Sequence, residues 1–200
     1  MAFALLIPVS AYTTAHTVLP WDSRYSWQGT HSYDLANGKQ WIYVNGPGFG
    51  TWFGHIAFKD EFTANRQARI RLEWDYDVKY TLESRAGHAK VSLYFIIDVY
   101  DQYGNWQWGA ANIPVYGDEI TTYGWWWQPP VIKQGDEDGS GYYQSYMYVY
   151  SGFKVKIYLY WYGKAGGAVS WGYGVVYGPS GSPTNGKAYA HVHNIYVYYT

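Results

Sequence analysis

Between Ala68 and Glu83 apolar and polar residues alternate without a break. Ile70, Leu72, Trp74, Tyr76, Val78, Tyr80 and Leu82 fall on one side, and Arg69, Arg71, Glu73, Asp75, Asp77, Lys79, Thr81 and Glu83 on the other. A period of two predicts a β-strand with one face in a core and the other a charged ladder. The next run, Ala89 to Asp101, puts Val91, Leu93, Phe95, Ile97 and Val99 on one face. Through Ser84-Arg85-Ala86-Gly87-His88, the two runs are expected to form a long antiparallel hairpin. Tyr142 to Tyr150 and Phe153 to Tyr162 alternate in the same way around Ser151-Gly152, with Val155, Ile157, Leu159 and Trp161 inward and Tyr158, Tyr160 and Tyr162 outward. Further strands are expected at Gln40 to Val44, Trp52 to Phe62, Ala168 to Tyr177 and Ala188 to Tyr199. Weaker patterns occur at Trp106 to Ile113 and Glu119 to Trp127.

Turn chemistry fills the gaps: Asn37-Gly38, Asn45-Gly46-Pro47-Gly48, Gly104-Asn105, Pro129-Pro130, Gly163 to Gly167 and Gly178 to Pro183. No sustained helical period or fixed-period repeat is present. About ten strands with long central hairpins predict an all-β, two-sheet antiparallel β-sandwich of the jelly-roll kind, with very little helix. Residues 1–10 read as an apolar N-terminal strand and residues 11–200 as a single sandwich domain.

Composition sharpens this picture. The 200 residues include 12 Trp, 25 Tyr, 7 Phe and 23 Gly, no Cys, and a net charge of −1. The absence of Cys removes thiolate metal sites and Cys nucleophiles. Without a Lys/Arg cluster, a nucleic-acid surface is not expected. The opening stretch from Ala2 to Ala11 has the apolar character of a signal peptide, but it lacks a basic flank and Pro8 interrupts it. It is also too short to span a bilayer. It therefore reads as a strand, buried either in its own sandwich or in a neighbouring subunit.

In composition the chain resembles small jelly-roll xylanases and cellulases, whose chemistry requires two carboxylates facing each other across a cleft. Glu73 and Glu83 sit on the charged ladder beside Arg and Lys, and no catalytic signature surrounds any of the five glutamates, Glu61, Glu73, Glu83, Glu119 and Glu137. Glu119 is the one carboxylate singled out for that role, and no enzyme is expected. Asp136-Glu137-Asp138-Gly139-Ser140-Gly141 has the look of an acidic loop that wraps Ca²⁺, with Asp136 and Asp138 as ligands; the alternative is a solvated acidic turn. His191 and His193 share a strand face, half of a transition-metal site; with no third ligand evident in the sequence, they read as sheet surface. No cofactor beyond a structural calcium is implied.

The aromatics exceed what a core needs. Tyr158, Tyr160 and Tyr162 form a stripe expected to lie beside Tyr146, Tyr148 and Tyr150, and Trp125-Trp126-Trp127 forms a second patch. Such surfaces bind sugar rings or other protein chains. A jelly roll preceded by an apolar strand resembles the subunits of archaeal bundling pili and related extracellular threads, which polymerise by donating their N-terminal strand to the next subunit. The resemblance implies a donor strand at Ala2 to Val9, with Phe3, Leu5, Ile7 and Val9 at the subunit interface together with Tyr158, Tyr160 and Tyr162. It also implies a homopolymer at the cell surface or outside the cell. Pro8 departs from it, because it cannot donate a ladder hydrogen bond. A structural subunit of such a filament is thus the first reading, with a carbohydrate-binding, lectin-like module or a viral coat or fibre protein as the alternatives.

Overall fold

The structure, a computed structural model, describes residues 12–178 and 186–200. Phe3, Leu5, Ile7 and Val9, the expected donor strand, lie outside the described residues. Twelve strands and no helix are found among the described residues: β1 (Thr13–Thr17), β2 (Ser23–Trp27), β3 (Thr30–Asp34), β4 (Lys39–Pro47), β5 (Trp52–Thr63), β6 (Ala68–Arg85), β7 (Gly87–Tyr100), β8 (Trp106–Thr121), β9 (Val131–Val149), β10 (Lys154–Gly167), β11 (Tyr173–Tyr177) and β12 (Ala188–Tyr199). They form two antiparallel sheets. Sheet A runs β1-β12-β4-β11-β6-β9, with β3 on β4, and sheet B runs β2-β5-β10-β7-β8.

The winding is that of a jelly roll. β7 pairs with β8, β6 with β9, β5 with β10 and β4 with β11. The chain from β4 to β11 is thus one long antiparallel ribbon, folded back at Asp101 to Asn105 and rolled so that successive pairs alternate between the sheets. β11 and β12 both lie between β4 and β6, β11 against Thr81 to Arg85 and β12 against Ile70 to Lys79.

This roll corrects two expectations. Ala68 to Glu83 and Ala89 to Asp101 do not form a hairpin. Ala86, with φ of 44°, is the single residue between β6 and β7, and it carries the chain from sheet A to sheet B. In the same way Tyr142 to Val149 lies in sheet A, with Tyr150 just past its end, while Tyr158 to Tyr162 lies in sheet B, so the two tyrosine stripes are not neighbours. Alternation fixes which face is buried but not which strand lies alongside.

The alternating runs supply the core. Val91, Leu93, Phe95, Ile97 and Val99 of β7 and Val155, Ile157, Leu159 and Trp161 of β10 are fully buried against Ile70, Leu72, Val78, Tyr80 and Leu82 of β6. The weak pattern at Trp106 to Ile113 becomes the first half of the edge strand β8, which runs on to Thr121, whereas of the expected strand at Glu119 to Trp127 only Glu119 to Thr121 is strand and the remainder is the link to β9. The register of β8 slips near Val115, and Asn112 takes a positive φ of 56°. Pro114 is tolerated there because, among the described residues, β8 is paired on one side only.

The acidic segment is likewise strand rather than loop. Asp136 to Gly141 lies inside β9, where Asp136 pairs with Lys79 at 2.9 Å. Its glycines do not turn the chain. Gly135, Gly139 and Gly141 stand opposite Tyr80, Tyr76 and Trp74 of β6, whose side chains occupy the space a β-carbon would take.

Candidate functional site

The two outer faces differ in chemistry. Sheet A mixes the Arg, Asp and Lys ladder of β6 with rings of β4 and β12, among them Trp41 against Tyr189 and Tyr196 against Tyr198, whereas sheet B presents a more continuous strip of rings. Across β2, β5, β10 and β7, Trp27 meets Phe53 and His55, Phe53 stacks on Tyr162, His55 meets Tyr160, and Tyr160 lies parallel to Tyr94 with centroids 5.2 Å apart. Tyr25 extends the strip to Tyr158. Cross-strand aromatic pairs of this kind stabilise a sheet and leave ring edges and hydroxyls toward solvent. Tyr158, Tyr160 and Tyr162 are therefore surface residues, as their alternation implies.

Beside this strip, on the β7 and β8 side, lies an open groove of about 660 Å³. Ser92 and Gly117 face each other across the two strands and form a low floor between larger neighbours. Tyr94 and Tyr162 make one wall. Lys90 and Glu119, an ion pair at 3.2 Å, close one end, and Pro114 and Asn112 the other. The volume lies within the range of small-ligand sites. Rings thus adjoin a carboxylate, an ammonium, an amide and a hydroxyl, which together can donate and accept hydrogen bonds.

Glu119, the carboxylate the sequence singles out, is in this groove but has no catalytic partner across it. The adjacent Asp118 points to the other face of β8, where it accepts a hydrogen bond from the Tyr80 hydroxyl at 2.5 Å and pairs with Lys133. Burial pushes the Asp118 carboxyl up, but the Lys133 ammonium and the Tyr80 hydroxyl outweigh it, and the group lies below its usual range. Burial also drives the Tyr80 phenol far above its ordinary value, so it remains a donor. A glycosidase pair needs one carboxyl held protonated and facing the other. Asp118 instead joins the edges of the two sheets, β8 to β9.

That join has a pH signature. Because the folded pKa of Asp118 lies below its unfolded value near ~4, its contribution to stability is complete above that value and is lost as pH falls through the folded pKa. The stability difference between the wild type and Asp118→Asn, read from urea unfolding, is expected to be present at neutral pH and to shrink on acidification below pH ~4. A difference independent of pH would remove the charge from the account.

Trp125, Trp126 and Trp127 lie in the turn between β8 and β9, each more than 60% exposed, with Trp125 and Trp127 stacked at 5.4 Å. On the outer face of sheet A, His191 and His193 are joined by Asp77, a residue the sequence places only on the charged ladder.

No protein-family model matches the chain, and no curated protein matches it. Among solved structures it is similar to the carbohydrate-binding module TmCBM61, determined in complex with β-1,4-galactotriose. The two are 11% identical over 80% of this chain and 71% of that one, with a TM-score of 0.25.

Proposed function

We propose that the protein is a non-catalytic carbohydrate-binding sandwich that takes an oligosaccharide along the outer face of sheet B. The observation that carries this reading is the groove, in which Tyr94 and Tyr162 stand over a floor of Ser92 and Gly117 beside Lys90, Glu119 and Asn112. Sugar rings offer apolar C–H faces to aromatics and hydroxyls to such polar groups, and the low floor admits a flat ring. The reading carries with it an extracellular or cell-surface location, where polysaccharides are met.

Two substitutions test it. Tyr162→Ala removes a wall. Gly117→Leu fills the floor at a position where a β-carbon meets nothing closer than Val91 O at 3.8 Å, so the fold accommodates it. Screening against a panel of neutral and acidic oligosaccharides, followed by calorimetry, is expected to show binding that each variant weakens at least about tenfold, or ~1.4 kcal/mol. A ligand that binds both variants as it binds the wild type would place recognition elsewhere, and no binding across the panel would sink the reading.

One observation favours a second reading, self-assembly into a filament. β8 and β9 are long strands, each paired on one side only among the described residues, and β9 exposes Ile132, Tyr142, Tyr146 and Met147. Long apolar edges accept a further strand. Electron microscopy of the purified protein distinguishes the readings: filaments lost in Ile132→Lys would support assembly, and a monodisperse particle would remove it.

A further inference from the structure

The residues at issue lie on the face of sheet A opposite the groove. β12 pairs with β6 in a register that sets His191 against Asp77 and His193 against Asp75. The ladder then breaks: the register slips between His193 and Tyr196, Asn194 takes a positive φ of 50°, and its amide donates to Asp75 Oδ2 at 2.8 Å. Bulges of this kind re-aim a side chain. Here His193 and His191 lie with ring centroids 4.6 Å apart, and Asp77 Oδ2 is 3.0 Å from His191 Nδ1. One ligand atom from each of the three residues falls within 4.8 Å of the others.

Two of the polar atoms in this cluster are buried without a well-formed hydrogen bond. His193 Nδ1 makes no hydrogen bond, and Asp77 Oδ1 has no well-formed one, with only the Tyr189 hydroxyl beside the carboxylate, although buried polar atoms are nearly always satisfied. A bound cation would satisfy both. Two imidazole nitrogens and one carboxylate oxygen suit a borderline divalent ion such as Zn²⁺ rather than Ca²⁺ or Mg²⁺, which take oxygen ligands throughout. Asp138 stands opposite Asp77 on β9 and adds negative charge beside the cluster.

We infer that Asp77, His191 and His193 form a binding site for a divalent transition-metal ion of the zinc class, which ties the C-terminal strand to β6. Three protein ligands leave a coordination position for water. The ion's contribution is structural, joining β6 to β12 just before the bulge.

The full-length chain, stripped with EDTA and dialysed, is titrated with Zn²⁺ by calorimetry, and its melting temperature is followed with and without the ion. The expected result is one Zn²⁺ per chain and a higher melting temperature. Both effects should weaken at least about tenfold in H193Q and in D77N. Absence of binding, or binding unchanged in both variants, overturns the inference. Should either variant fold poorly, histidine-side-chain NMR of the wild type decides. Zn²⁺ that perturbs the imidazoles of His191 and His193 while leaving His55 and His88 in place upholds the site, and any other pattern overturns it.

Discussion

Gly135→Ala is expected to destabilise the protein by about 3 kcal/mol, with a melting temperature lower by roughly 6–12 °C. The new methyl group would sit 2.2 Å from Tyr80 Cζ and 2.4 Å from its hydroxyl oxygen. Tyr80 cannot yield cheaply. It is buried and held at its tip by Tyr116 and Asp118, each at 2.5 Å, so displacing the ring breaks the join between the edges of the two sheets. Chemical denaturation measures the loss, and Tyr80→Leu in the same chain should recover part of it by making room. Gly117→Ala, where the added atom makes only ordinary van der Waals contact with Val91 O at 3.8 Å, serves as the comparison and should stay within about 0.5 kcal/mol of wild type. An equally small effect at Gly135 would refute the packing of β6 aromatics over β9 glycines.

Trp161→Ala should cost about 4 kcal/mol. Trp161 is fully buried in β10, the middle strand of sheet B, and its indole N–H donates to the Ala188 carbonyl at the start of β12 in the other sheet at 3.2 Å. Its removal leaves a cavity between the sheets and an unpaired carbonyl. Trp161→Phe keeps most of the volume and forfeits the hydrogen bond, so it should retain more than half of the lost stability. Equal losses in guanidinium unfolding of the two variants would mean that the polar contact, not the packing, holds β10 to β12.

What the sequence conveys and what it conceals follow from one property of β-structure. Alternation along Ile70 to Leu82, Val91 to Val99 and Val155 to Trp161 marks the buried face of each strand, and the structure buries those residues, Tyr76 only in part. Partnership leaves no such mark. A short Gly-containing link such as Ser84 to His88 looks the same whether it closes a hairpin or passes the chain to the other sheet. Gly139 and Gly141 suggested a turn because glycine's usual signal is backbone freedom, whereas here the missing β-carbon makes room for Tyr76 and Trp74. The candidate site divides in the same way. Tyr162 and Glu119 are legible as an outward ring and an isolated carboxylate, but Lys90, Ser92 and Asn112 become their neighbours only through a bulged β7–β8 register. His191 and His193 are legible as a pair, while Asp77 is 114 residues away in sequence and is brought alongside by the β6–β12 pairing.

The rolled ribbon also dictates an order of events during folding. Of its four pairings only β7 with β8 is local, joined by a tip in which Asp101 Oδ1 accepts from the backbone N–H groups of Tyr103 and Asn105. Once that pair has formed, β6 and β9 are delivered to adjacent positions, then β5 and β10, and last β4 and β11. Each closure thereby becomes short, and any pairing made out of turn must bridge a long free chain at a cost in entropy. A topology so dominated by distant contacts belongs with domains that fold in milliseconds to seconds. On this order of closure the Asp101 turn sets the rate of acquiring the structure, so a substitution there is expected to slow folding more than it speeds unfolding.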